Sequence, residues 1–125
     1  MNTTITVIQV LLTIFAGAAG TLRFAMPYAQ FTKLPAQGWS LDFKPWHVKL
    51  IGFLELCAAV GIISSLLLDS ATMLTPLAAV GLALVMAGAM ATHLRREEYV
   101  NAIGNLVWLG LALFFAYSKL IALTV

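Results

Sequence analysis

Four long apolar blocks dominate the chain, and each approaches the length that crosses a lipid bilayer. They cover about residues 5–24, 48–68, 71–92 and 100–118. A membrane helix needs about 20 apolar residues, whereas a barrel strand needs about 10 with alternating polarity. The blocks are too long for strands and do not alternate. The pattern therefore predicts an all-α integral membrane protein, an antiparallel four-helix bundle forming one domain over residues 1–125.

Composition agrees with a membrane protein and removes several other classes. Only 10% of the 125 residues are charged and 62% are hydrophobic, whereas a soluble domain carries roughly 25% charged residues. A net charge of +2 gives no support to a nucleic-acid partner. The single cysteine, Cys57, allows neither an intramolecular disulfide nor a Cys-x-x-Cys motif. No Lys or Arg precedes Arg23, so the first block is expected to be a retained helix rather than a secretory signal.

The connecting segments predict an orientation. The first loop, residues 25–47, is rich in proline and aromatic residues, which suits either a segment lying on the membrane interface or an ordinary loop. Basic residues are concentrated on the side of the first and third loops, which has Arg23, Lys33, Lys44, Lys49, Arg95 and Arg96. The opposite side has only Lys119. The positive-inside rule then places these loops in the cytoplasm and both termini outside.

Small residues predict where the helices approach one another, because lipid supplies no hydrophobic attraction between helices. Gly20 in the first block and Gly52 in the second are of this kind. Gly81 and Gly88 lie seven residues apart in the third block and therefore share one face. These faces predict a compact bundle rather than four independent anchors.

Glu55 is the most informative residue because it lies within an apolar block. It lies about eight residues into the second block, or ~12 Å along the helix axis. A charge at such a depth costs on the order of 2.5–3.5 kcal/mol, so the carboxyl group must be protonated or paired inside the bundle. Gly52 and Ala59 flank it on the same face, which predicts that it points inward.

The order of the helices brings candidate partners to Glu55. Arg23 ends the first block, His93 ends the third and Asn105 lies early in the fourth, so all three are expected near Glu55 at the cytoplasmic end. His47 is expected to close the same pocket. Two interpretations remain open: a structural ion pair with interhelical hydrogen bonds, or a site for a ligand or protons. Two histidines and one acid at unrelated positions are weak evidence for a metal.

These residues resemble the DoxX-like family of bacterial membrane proteins over nearly the whole chain. The resemblance rests on Gly17, Gly20 and Arg23, segments 51–56, 74–79 and 92–96, Met86, Gly88, Ala89 and Asn105. It implies a four-helix bundle in the cytoplasmic (inner) membrane, with Arg23, Glu55, His93 and Asn105 as recurrent polar positions. Relatives are associated with quinone-coupled sulfur oxidation, with membrane oxidoreductase complexes and with membrane-protein assembly. The cysteine pair of some relatives is missing, which argues against thiol redox activity.

The function predicted first is an accessory subunit of a membrane oxidoreductase system that holds a lipid-soluble ligand, such as a quinone, in the polar pocket. Autonomous catalysis is not expected, since the chain has no flavin, haem, iron–sulfur or metal motif. One alternative is a structural or assembly factor that binds other transmembrane helices through an outward stripe of Ala58, Gly61 and Ser65. Another is a small proton-coupled carrier, although no broken helix pair marks a transport site. Besides the bilayer, an oxidoreductase partner and a homo-oligomer both remain open.

Overall fold

The computed structural model describes residues 2–124, and over that range the secondary structure is entirely helical. The four long helices are α1 (Thr3–Ala25), α3 (Pro45–Leu67), α4 (Leu74–Arg95) and α5 (Tyr99–Thr124). The first loop contains a short helix, α2 (Tyr28–Phe31), and a 3₁₀ helix (Gly38–Asp42). Each long helix is long and apolar enough to cross a membrane, which confirms the predicted all-α membrane fold. The fourth block runs past Ser118 to Thr124, and the third begins at Leu74.

The four helices pack in chain order around a small core. Helix α1 packs mainly on α3, α3 on α4, and α4 on α5, while α1 and α5 touch only sparsely. The core contains Leu12 from α1, Ile62 from α3, Leu82 from α4 and Phe115 from α5, all fully buried. Large aliphatic side chains such as Leu84, 70% exposed, cover the outer surface. Such a surface suits a bundle whose outside is solvated by lipid rather than by water.

Helices α1 and α3 approach each other closely at Gly20 and Gly52. A Cβ atom added to Gly20 would lie 2.8 Å from the carbonyl oxygen of Gly52. A Cβ atom added to Gly52 would lie 2.6 Å from the backbone nitrogen of Phe24. The two backbones therefore touch at a separation that no larger residue allows, which is how small residues promote helix packing in lipid.

Two predictions about helix faces are wrong. An added Cβ atom at Gly81 or Gly88 would meet nothing within 4 Å, so these glycines do not pack against another helix. The stripe of Ala58, Gly61 and Ser65 was expected to face outward, but Ala58 and Gly61 are buried, and Ser65 accepts a hydrogen bond from Gln9 of α1. Helices α3 and α4 are apolar on every side, so hydrophobic pattern alone does not fix their rotation about their own axes.

The first loop folds back onto the bundle and has its own apolar cluster. Phe31, Trp39 and Val48 are buried together, and the Tyr28 hydroxyl lies 3.0 Å and 2.9 Å from the carbonyl oxygens of Ser40 and Phe43. The loop, which was predicted to be either an interfacial segment or an ordinary loop, is therefore an ordered cap on one end of the helices, with Trp39 in its apolar cluster.

The close approach predicts a large difference between two glycine-to-alanine changes. Gly52→Ala should destabilise the protein by about 1–3 kcal/mol, because the new methyl group forces α1 and α3 apart. Gly81→Ala adds the same group in open space and should leave stability unchanged or raise it by up to about 1 kcal/mol through helix propensity. Denaturant titrations in mild detergent measure both. Equal stability of the two variants would contradict the packing described.

Candidate functional site

An ion pair whose carboxylate is fully buried joins α1 to α3 next to the glycine contact. Nη1 of Arg23 donates to both carboxylate oxygens of Glu55, at 2.5 Å and 2.6 Å. The Glu55 side chain is 0% exposed and that of Arg23 is 17% exposed. Each partner lies three residues beyond its glycine, so Gly20 and Gly52 set the separation that the pair requires. The structure thus brings together Arg23 and Glu55 as the sequence predicted.

The loop cap covers this pair with an aromatic side chain. Cζ of Arg23 lies 5.3 Å from the centre of the Trp39 ring, a cation–π arrangement. The same indole packs edge-on against His93, with ring centres 6.3 Å apart. Among residues 2–124, Nε of Arg23 is buried and has no hydrogen-bond acceptor. Arg23 therefore keeps donor capacity beyond what Glu55 uses.

His93 belongs to a second polar network that ties the loop to the α4–α5 turn. Its Nδ1 lies 2.8 Å from Oε1 of Glu98, which also accepts from Nε of Arg96 at 3.3 Å. Nη1 of Arg96 donates to both oxygens of Asp42 at the end of the 3₁₀ helix. The hydrogen bond from His93, helped by the Arg96 charge, holds the pKa of Glu98 below its ordinary value of 4.5. The hydrogen bond to Asp42 raises the pKa of Arg96.

A cavity of about 290 Å³, the first cavity, opens beside these groups. Arg23 and His93 form its polar end and Trp39 and Phe43 cover it. Its deeper wall is apolar and consists of Ile51, Val85, Met86 and Ala89. Val85 lies ten residues before the end of α4, or ~15 Å along the axis. The cavity is thus apolar at membrane depth and polar toward the end of the bundle.

A second cavity, of about 260 Å³, lies on the other side of the same residues. Arg23, Trp39 and His93 line both cavities and form the wall between them. The second cavity adds Gln37 from the loop and Asn101 and Asn105 from α5. It lies between α1 and α5, which touch only sparsely, and its lining includes Phe15 of α1 stacked on Trp108 of α5.

The chain belongs to the DoxX-like family. The family model matches residues 7–115, which include all of α3 and α4, most of α1 and α5, and the residues of both cavities. No curated protein and no solved structure matches the chain. Membership establishes a multi-pass membrane protein in contact with the lipid bilayer, and the matched description assigns no reaction.

The predicted site residues of this DoxX-like protein separate into distinct places. Glu55 is buried behind Arg23 and lines neither cavity. Asn105 lines only the second cavity, where its Nδ2 donates to the carbonyl oxygen of Asn101. His47 also lines neither cavity; its ring stacks on Trp46 with ring centres 3.7 Å apart. The single pocket expected from the sequence is therefore two cavities sharing Arg23 and His93, with His47 outside both.

Sequence reasoning missed a buried polar contact at the other end of the bundle. Gln9, 1% exposed, donates to the carbonyl oxygen of Ile62 at 2.7 Å and to Oγ of Ser65 at 2.9 Å. The signal available was that Gln9 is the only side-chain amide within the first apolar block. Its hydrogen bonds are satisfied by α3, so it acts as an interhelical contact rather than a site.

The ion pair predicts a non-additive response to mutation. Glu55→Gln leaves the buried guanidinium without its counter-charge and should cost about 3 kcal/mol or more. The double variant Arg23→Gln/Glu55→Gln removes both charges and should recover much of that loss. Unfolding in detergent or nanodiscs measures each, with Asp69→Asn as an exposed acid-to-amide control. A double variant no more stable than Glu55→Gln would contradict the pairing.

The Glu98 network predicts how stability depends on acid. Folded Glu98 binds protons less readily than unfolded Glu98, so its contribution is fully present above the ordinary pKa of 4.5 and is lost as pH falls through the lowered folded value. The thermal midpoint should therefore decrease as the pH is lowered below about 4.5, and Glu98→Gln should flatten that dependence. Glu97→Gln changes the neighbouring exposed acid, and a flattening of the same size there would contradict the assignment.

Proposed function

We propose that this DoxX-like protein is an accessory subunit of a membrane oxidoreductase system that binds the ring of a lipid-soluble quinone in the first cavity. The observation that carries the proposal is the composition of that cavity, which joins hydrogen-bonding groups to an apolar wall at membrane depth. Ligand pockets of this design combine a largely apolar lining with a few polar groups that orient the ligand.

The cavity volume supports a single ring rather than a larger molecule. About 290 Å³ is at the lower limit of the roughly 300–1,000 Å³ typical of ligand pockets. A quinone ring with small substituents suits this space, and its isoprenoid tail would lie in the surrounding lipid. Such a tail has a way out beside Gly88, which lines the cavity and has no neighbour near its Cβ position.

The polar end offers the interactions that a quinone oxygen requires. Arg23 has donor capacity that Glu55 does not use, and a carbonyl oxygen is an acceptor. Because Arg23 is already neutralised by Glu55, the site presents a donor without a large net positive charge. A neutral ring with oxygen atoms therefore suits it better than a free anion. When bound, the quinone supplies the redox chemistry, and the electrons come from the partner oxidoreductase.

His93 is placed to exchange a proton with the bound ring. Ionised Glu98 accepts the hydrogen of Nδ1, which leaves Nε2 as the nitrogen that binds or releases a proton. Trp39 packs on both Arg23 and His93 and would exclude water from the ligand side. The chain thus contributes binding, orientation and a proton-exchanging group.

Quinone binding should be measurable through Trp39. The variant Trp46→Phe/Trp108→Phe retains Trp39 as the one indole, so quenching of its emission reports contact with the first cavity. A short-tailed quinone added to this protein in nanodiscs should quench the emission with a saturable dependence on concentration. Ala89→Leu, which fills the apolar part of the cavity, should weaken binding by about tenfold or more, or ~1.4 kcal/mol.

The matched control is Ala91→Leu, which adds the same group at an exposed position of α4 that lines neither cavity. It should retain the affinity of the parent. Quenching that rises without saturation, or that is equal in the two leucine variants, would show partition into lipid rather than binding and would overturn the proposal.

A further inference from the structure

The two cavities differ in chemistry although they share one wall. The first has an apolar interior, whereas the second has a mixed lining, in which the side-chain amides of Gln37, Asn101 and Asn105 lie beside the aromatic rings of Phe15 and Trp108. The wall between them consists of Arg23, Trp39 and His93. The side chains of this wall are therefore in contact with two different environments.

The second cavity begins at the end of the bundle and runs inward. Val100, in the first turn of α5 and 84% exposed, lies at its outer part together with Ala36 and Gln37 of the loop. Asn105 lies six residues into α5, or ~9 Å along the axis. The cavity thus leads from the loop surface to the depth of the wall.

The size of this cavity and the polar part of its lining allow it to hold water. Its 260 Å³ far exceeds the roughly 10–15 Å³ of such volume that one water needs. Buried water requires two to four polar partners, and the three amides, with the uncommitted donors of Arg23, supply them. An amide-lined, open cavity in a bundle of apolar helices is difficult to explain by packing alone.

We propose that the second cavity is a water-filled vestibule through which protons reach His93 from the aqueous phase. The role of that proton rests on the proposed function, in which a ligand occupies the first cavity on the other side of the wall. The aqueous and the lipid-soluble reactant would then both reach the Nε2 edge of His93, each from its own cavity, without mixing.

The proton transfer through His93 balances with the electrons that the partner oxidoreductase of the proposed function supplies. Hydronium in the vestibule gives a proton to Nε2 and becomes water, while Nδ1–H remains bonded to Glu98. The imidazolium then gives the Nε2 proton to a ligand oxygen that has gained negative charge from those electrons, and the neutral imidazole is restored. The charged groups facing His93 are Glu98 in the turn, Arg96 behind it and Arg23 on α1. The residues of α5 that line the vestibule are all uncharged: Val100, Asn101, Gly104, Asn105 and Trp108.

Cysteine accessibility tests whether the vestibule holds water. In a Cys57→Ser background, single cysteines are placed at Asn105 in the vestibule, at Ala89 in the first cavity and at Leu106 on the exposed apolar face of α5. A charged thiol reagent needs water and the thiolate, so Asn105→Cys should react at least about tenfold faster than the other two. Reaction of Asn105→Cys no faster than Leu106→Cys would overturn the proposal.

Solvent exchange at the histidine ring tests the proton route. The chain has two histidines, so ¹⁵N-histidine NMR can follow His93 with His47 as an internal reference. Gly104→Leu places a side chain in the vestibule, where an added Cβ atom meets nothing within 4 Å. Ring N–H exchange at His93 should slow several-fold while that at His47 stays unchanged. Unchanged exchange at His93 would overturn the route even if the cavity is wet.

Neither measurement uses a quinone, so the vestibule and the ligand site can fail separately. A dry second cavity would leave saturable quenching of Trp39 unaffected. If no quenching occurred, the thiol and NMR results would still support the vestibule. Only the delivery of the proton to a bound ligand would be contradicted. The unchanged His47 signal in Gly104→Leu also shows that the variant is folded.

Discussion

The buried ion pair between Arg23 and Glu55 is the constraint on which the rest of the structure depends. A carboxylate in the middle of an apolar helix is tolerated only with a partner at hydrogen-bond distance, and Arg23 supplies two contacts of 2.5–2.6 Å. This geometry needs α1 and α3 to touch, which Gly20 and Gly52 allow. The glycine contact and the ion pair therefore act together. The glycines set the distance between α1 and α3, and the ion pair makes a shift of one helix along the other unfavourable.

The first loop converts this structural pair into a site. Without Trp39, Arg23 would be exposed at the end of α1; with it, the guanidinium lies beneath an indole that also contacts His93. The loop is held in place by Asp42 and Arg96, and Arg96 in turn contacts the Glu98 that orients His93. Surface charges alone contribute little to stability, but here they determine where the covering aromatic residue sits and hence how the two cavities are divided.

The site residues were predictable to the extent that each side chain requires a particular partner. The pairing of Glu55 with Arg23 followed from depth and helix order, because a buried charge has few permitted partners. The place of Asn105 did not follow, since a neutral amide is satisfied by its own helix at Asn101. The predicted faces of Gly88 and Ala58 were wrong for a related reason. A membrane helix is apolar both toward its neighbouring helices and toward the lipid, so the hydrophobic pattern does not fix its rotation about its own axis. Only the contacts of the folded bundle separate one expected pocket into two cavities.

The division into two cavities also explains why a bundle this small would keep a compensated charge rather than an apolar contact. Replacing a buried pair with well-packed hydrophobic residues is often neutral or stabilising, so stability alone gives no reason for Arg23 and Glu55. A leucine pair would hold α1 on α3 but would leave no hydrogen-bond donor in the wall. With Glu55 fully enclosed, the negative charge is hidden and only the donor face of Arg23 reaches the cavities. The pair thus places a hydrogen-bonding surface at the polar end of the cavities while adding almost no net charge there.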